Sequence, residues 1–262
     1  MRAMRGPPSH DTEMRLPLVV FVLSFAGQAL ALKTGIHLRG RLRALDDDGR
    51  RDFSVIQGAT LTLLGIIIGF SFSMAVSRYD QRKSCEEEEA NAIGTEYLRL
   101  GLLPAADASK ARALLKKYLD QRVAFYEARD PGRLEQTNRD TARTQNELWS
   151  AVQKGAVVQQ AAVTTFTLGG LNDALNSQGY TQAAWLNRIP VAAWIMMETI
   201  ALFGNLLVGI GAYKSKGVGL LLLPFVLSAA FFLIADLDSP RRGLIRVRPG
   251  NLLSLAESLS AY

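Results

Sequence analysis

The stretch 63-LLGIIIGFSFSMAVSRYDQRKSCEEEEANAIG-94 decides how this chain is read. Residues 63–77 carry no charge, yet eight of the next twelve are charged, ending in the run Glu86 to Glu89. Upstream, the uncharged run reaches back to Val55. Val55 to Ser77 is therefore long enough for a helix that crosses a bilayer, which needs about 20 mostly apolar residues. Arg78, Arg82 and Lys83 then mark its exit on the side rich in basic residues.

Three further apolar runs flank this one. They are Leu16 to Leu32, Ile189 to Tyr213 with the single carboxylate Glu198, and Gly217 to Ala235, which ends at Asp236. The chain has 262 residues, 48% of them hydrophobic, and a mean hydropathy of +0.10. That modest average hides the uneven distribution. Core helices that are apolar all round seldom run so long without a polar face. The expected fold is an all-α membrane protein with four transmembrane helices and a helical cytoplasmic insertion between the second and third. The first run has two readings. Its basic flank and Ala29-Leu30-Ala31 match a cleaved signal peptide. The basic residues beyond it favour a retained helix.

The expected organisation has three parts. Residues 1–77 form the N-terminal tail and first two spans, 78–188 the helical cytoplasmic block, and 189–262 the last two spans and a basic tail. The middle block holds 15 Lys+Arg against 14 Asp+Glu, leaving +5 of the chain's +6 on the membrane part and its flanks. That placement suits anionic headgroups rather than nucleic acid. Basic residues near the apolar ends number 11 on the side of the block (Arg2, Arg5 and Arg15 among them) and 8 on the other, including Arg41, Arg43, Lys214 and Lys216. This bias places the block in the cytoplasm.

Within the block, "DASKARALLKKYLDQRVAFYEARDPG" sets Leu115, Tyr118, Leu119, Phe125 and Tyr126 at helical spacing. Asp107 or Ser109 is expected to cap it, and "DPG" to stop it. A second polar helix is expected to use Leu148, Trp149 and Val152 for its apolar contacts. A third is expected to break at Gly169-Gly170. The glutamate run reads as a solvated helical face, or as an acidic ring at a vestibule through Glu86 and Glu87.

On the second span, Gly58, Thr62, Gly65, Gly69 and Ser73 fall on one narrow stripe at about 100° per residue. Small residues there permit close helix packing through Gly58, Gly65 and Gly69. They also leave room for a water-filled passage, with Ile66 and Phe70 beside them as an apolar constriction that gates by dewetting. On the third span, Trp194, Glu198, Asn205 and Gly209 share a face. A carboxylate within a span faces protein or a cavity, either as a functional group or as a hydrogen-bonded buried acid. Asp236 and Asp238 at the end of the fourth span either bind a cation or pair with Arg241 and Arg242, and pairing is the better reading. Cys85 is the only cysteine, excludes an intrachain disulfide, and lies beside acids that disfavour a thiolate. No metal spacing, nucleophile motif or phosphate loop appears, so neither an enzyme nor a cofactor is expected.

The segments "LLGIIIGFSFSMAVSRYDQRK", "EEANAIGTEYLRLGLLP" and "LIADLDSPRRGLIRVRPGNL" resemble a family of bacterial membrane proteins described as bestrophin-like. The resemblance covers nearly the whole chain. A more remote one is to the bestrophin channels, whose second helix carries a Gly-Phe pair, a run of small and aliphatic residues, and an Arg followed by aromatics. Gly69-Phe70, Met74 to Ser77 and Arg78-Tyr79 are similar. The resemblance implies a homo-oligomeric, pentameric ion channel in the bacterial inner membrane, with lipid and inorganic ions as partners. Its second helix would line a neck at Thr62, Ile66 and Phe70, with Ser73 further along. Thr62 departs from the family's apolar neck residue. Only Asp236 and Asp238 stand where animal bestrophins bind calcium, so calcium control is not implied. The alternative is a non-conducting scaffold or sensor that binds partners through the helical block. A third is a transporter using Glu198 as its protonatable site.

Overall fold

The computed structural model describes residues 16–39, 47–212 and 218–261. The basic residues counted above at 2, 5, 15, 41, 43, 214 and 216 lie outside these. The described helices are α1 (Leu16–Leu38), α2 (Asp47–Arg99), α3 (Ala105–Glu127), α4 (Pro131–Val157), α5 (Ala161–Leu186), α6 (Val191–Gly211), α7 (Leu222–Asp238) and α8 (Gly250–Ser260). Short 3-10 turns occupy Leu100–Leu102 and Val218–Leu221, and no strand occurs among the described residues. Four stretches, Pro17–Leu38, Asp48–Leu102, Ala161–Gly211 and Gly219–Asp238, are long and apolar enough to cross a membrane.

The opening stretch differs from its reading in one respect. The switch from apolar to charged residues brings no break. α2 runs unbroken for 53 residues, about 80 Å at 1.5 Å per residue. Between Asp48 and Arg99 it holds no proline, and its charged half is rich in Glu, Arg, Lys and Ala, which favour helix. The chain divides into two compact units, and α2 supplies residues to both.

The apolar unit holds α1, α2 as far as Arg78, α6 and α7. α1 continues through Ala29-Leu30-Ala31 to Leu38, and it packs on α6 and α7. Gly35 and Gly209 make the tightest crossing. A Cβ on Gly35 would meet the Gly209 Cα at 3.0 Å and the Leu206 carbonyl oxygen closer still, and a Cβ on Gly209 would meet the Leu32 carbonyl in the same way. Two glycines thus bring two backbones into contact, the small-residue packing of membrane helices. Phe21 and Phe25 of α1 meet Phe225 of α7 edge-on at 5.9 and 6.5 Å.

The other unit comprises Tyr79–Asn187 and the segment from Arg246 onward. Its core gathers Ile93, Leu100, Leu115, Tyr118, Leu119 and Leu148 with residues of α5 and α8. α3 begins at Ala105 behind Pro104 with no side-chain cap, so neither Asp107 nor Ser109 serves as one. Asp130 instead caps α4, accepting from the Arg133 amide at 2.7 Å, with Pro131 in the first turn. "DPG" therefore starts a helix as well as following one. α4 buries Leu148 and Val152 as expected, but Trp149 is exposed, and Thr137, Thr141 and Thr144 complete the buried face. α5 does not break at Gly169-Gly170. Gly170 is where the Glu96 and Arg99 side chains approach its backbone, leaving no room for a Cβ. The interruption falls earlier, at residues 158–160.

Candidate functional site

On the apolar half of α2, Leu64, Ser71 and Ala75 turn inward and are buried, while Gly58, Thr62, Gly65, Ile66, Gly69, Phe70 and Ser73 are exposed. The exposure of Ile66 is 51% and that of Phe70 is 71%. A Cβ on Gly58, Gly65 or Gly69 would meet nothing within 4 Å. Among the described residues, these three glycines therefore pack against no other helix of their own chain. α2 meets α6 through its other face. The Leu61 Cδ2 lies 3.2 Å from a Cβ built on Gly204, and Gln57 and Phe53 lie 3.0 and 3.3 Å from one built on Gly211. The predicted neck residues thus share one face about 22 Å long from Gly58 to Ser73, which the chain leaves uncovered.

Glu198 and Asn205 lie on the face of α6 toward α1. Ser24 donates to the Glu198 carboxylate at 2.9 Å, and the Asn205 amide donates to Gln28 Oε1 at 3.2 Å and to the Ala201 carbonyl at 2.9 Å. Ser24, Gln28, Leu32 and Gly35 form the matching stripe on α1, all buried. Sequence inspection missed Ser24 and Gln28, although their i, i+4 spacing within an apolar run is a readable signal.

Of the four exit acids, Asp238 joins Arg78. The Arg78 guanidinium donates to the Asp238 carboxylate at 3.3 Å, and that carboxylate also accepts the Ile189 amide at 3.0 Å. One side chain thereby ties the end of α7 to α2 and to the segment that enters α6. Asp236, 2% exposed, accepts the Leu244 and Ile245 amides at 2.6 and 2.9 Å and holds the turn after α7. Backbone capture thus engages both oxygens of Asp236. Among the described residues, no group of three His, Cys, Asp or Glu side chains is placed to hold a metal ion.

The glutamate run is not one solvated face. Glu87 and Glu88 are exposed, but Glu86 and Glu89 are buried. Glu86 caps α8, accepting the Asn251 and Leu252 amides at 2.9 Å each and the Asn251 side chain at 2.7 Å. Glu89 pairs with Arg122, both fully buried, and accepts the Tyr126 hydroxyl at 3.3 Å and the Thr181 hydroxyl at 3.1 Å. Burial, then the Glu89 charge, pushes the Tyr126 hydroxyl well above its ordinary pKa. Arg82, also fully buried, donates to the Ala184 and Asn187 carbonyls at the end of α5. Arg82, Glu86, Glu89, Ile93, Glu96 and Leu100 make one stripe at helical spacing, in which charged residues occupy core positions. A hydropathy reading cannot see it, because four of its six members are charged. Cys85 lies next to this stripe, and burial with Glu88 and Glu89 raises its thiol pKa, so the thiolate is disfavoured.

A bestrophin-like domain model matches residues 19–252. A crystal structure of a bacterial bestrophin homologue from Klebsiella pneumoniae, a single-substitution variant, resembles this chain with a TM-score of 0.64 at 14% identity, covering 94% of this chain and 98% of that one. Another structure of a bacterial bestrophin homologue from Klebsiella pneumoniae, phased on zinc, gives a TM-score of 0.61 at 15% identity over 92% and 98% of the two chains. No curated protein matches the sequence. Identities this low carry the fold alone, while the domain match spans most of the sequence. The chain is a helical membrane protein that belongs to the bestrophin-like family.

Proposed function

We propose that this protein is an oligomeric ion channel of the bacterial inner membrane, with α2 lining the pore and ions passing an apolar neck at Thr62, Ile66 and Phe70. The family's characterised members are ion channels. The observation that carries the reading to particular residues is the uncovered face of α2. Seven residues from Gly58 to Ser73 are exposed along one side of a membrane-length helix, and a Cβ on any of its three glycines would meet no described residue within 4 Å. Two of those seven are large apolar side chains, and one is a threonine. Copies of that face arranged about an axis would give a passage wide at the glycines and narrow at Ile66 and Phe70, where dewetting gates flow. The resemblance to bestrophins supports a pentamer with the helical unit as a cytoplasmic vestibule.

Glu198 fits this reading as a positioning group between α1 and α6. Its bond from Ser24 and the adjacent Gln28–Asn205 pair fix two apolar helices in register. Purified full-length protein in planar bilayers is expected to pass current, and Phe70→Ala is expected to raise conductance or leak. Silent, well-folded preparations of both proteins would overturn the proposal.

A further inference from the structure

We infer that a pocket formed by Tyr79, Lys83, Arg246 and Arg248 binds a phosphate group, the chemistry shared by an anionic lipid headgroup and free phosphate. The pocket has a volume of about 370 Å³, and Glu86 and Asn251 contribute to its wall. Lys83 and Tyr79 come from α2, and the arginines from the segment that leads into α8.

Several cations of this protein are already engaged. Arg78 pairs with Asp238, Arg122 with Glu89, and Arg82 and Arg39 each donate to backbone carbonyls. Lys83, Arg246 and Arg248 make no ion pair or hydrogen bond with a described residue, and one pocket gathers all three. Three like charges around one pocket repel each other, and an anion relieves that repulsion. The single carboxylate in the wall does not. Glu86 is 1% exposed and its two oxygens take three donors from the start of α8, so it is committed to holding that helix. The pocket therefore carries three positive charges against one negative. Two guanidinium forks suit the paired oxygens of phosphate, and the lysine adds a point charge.

Position along α2 suits a headgroup. Tyr79 and Lys83 lie two and six residues beyond Ser77, the end of the uncharged run. At 1.5 Å per residue these are about 3 and 9 Å past the hydrocarbon, within the depth of a headgroup layer of several ångströms. A tyrosine at that level is a usual interface residue. The lipid source rests on α2 crossing the membrane. The phosphate source does not, and neither needs the protein to conduct.

The test uses the full chain. Native mass spectrometry from nanodiscs of phosphatidylcholine with and without phosphatidylglycerol reads headgroup retention. Titration with inorganic phosphate against chloride at matched ionic strength reads free phosphate. Arg246→Gln with Arg248→Gln is expected to weaken binding at least tenfold. Lys110→Gln with Arg133→Gln, elsewhere in the same unit, is expected to leave it unchanged. Loss of retained phosphatidylglycerol in the first pair alone assigns a lipid headgroup, whereas phosphate binding without lipid preference assigns the free anion. Should the arginine pair fail to fold, Lys83→Gln alone is expected to weaken binding about threefold or more. The inference is overturned if wild type holds neither species, or if the pocket variants bind as the control pair does.

Discussion

Replacing Glu89 by glutamine strips the partner from a guanidinium that has no access to water. Arg122 and Glu89 are both fully buried, and the Arg122 guanidinium otherwise lies over the Phe125 ring at 4.4 Å. The Tyr126 and Thr181 hydroxyls lose a charged acceptor in the same step. Removing one member of a buried pair costs about 3–5 kcal/mol, because the remaining charge is left uncompensated. For a chain of this size, about 2–4 °C of Tm accompanies each kcal/mol, so a fall of about 6–20 °C is expected. Thermal unfolding in detergent, followed by tryptophan fluorescence, is a suitable assay, since Trp185 lies 5.4 Å from the Tyr126 ring. The double substitution Glu89→Leu with Arg122→Met removes both charges and is expected to regain at least half of the loss. A single variant melting within about 2 °C of wild type would refute the reasoning. So would a double variant no more stable than the single one.

Two other predictions concern the fold. Burial holds the Glu96 carboxyl up at about 8, with Asp173 adding to the shift and Arg99 opposing it, and neither carboxyl oxygen has a hydrogen-bond partner. The folded protein thus keeps a proton that the unfolded chain releases near 4.5. Stability must fall as pH rises from about 4.5 to about 8 and level off above. Glu96→Gln should flatten that slope in melts from pH 5 to 9, and an unchanged slope would count against Glu96 as its source. Gly35→Ala places a methyl against the α6 backbone and is expected to cost several kcal/mol, of the order of other overpacked core sites. Gly65→Ala meets nothing within 4 Å and should leave the protomer's own melting unchanged. Equal effects from the two would contradict the assignment of the helix crossing.

The spans were legible because the bilayer demands long uncharged runs, and nothing in a soluble core imitates Val55 to Ser77. Face assignments on α2 followed from 3.6-residue spacing, and the structure leaves the predicted neck face uncovered. The helical unit was harder to read. Its core uses Arg82, Glu86, Glu89 and Arg122, side chains that hydropathy assigns to solvent, and only three-dimensional pairing shows why they are buried. The expected break at Gly169-Gly170 failed for a related reason. Those glycines weaken the helix by propensity, but Gly170 is needed where Glu96 and Arg99 pass. Asp107 and Ser109 resembled caps, yet the cap position falls at Pro104, three and five residues earlier. Asp236 and Asp238 looked like partners for the following arginines because those are adjacent in sequence. Asp236 also takes two backbone amides, and Asp238 takes the Ile189 amide and Arg78, 160 residues away, contacts that no local reading of the sequence shows.

The central claim is that the face of α2 bearing Phe70 lines a conducting path. Cys85 is the only cysteine, so Cys85→Ala gives a background in which single cysteines report one position each. The decisive measurement is current through reconstituted Phe70→Cys and Leu64→Cys proteins before and after a charged, water-soluble thiol reagent. Current through Phe70→Cys is predicted to change on modification, and current through Leu64→Cys, on the buried face, to stay constant. Modification of Leu64→Cys alone, or folded protein that passes no current at all, would contradict the account.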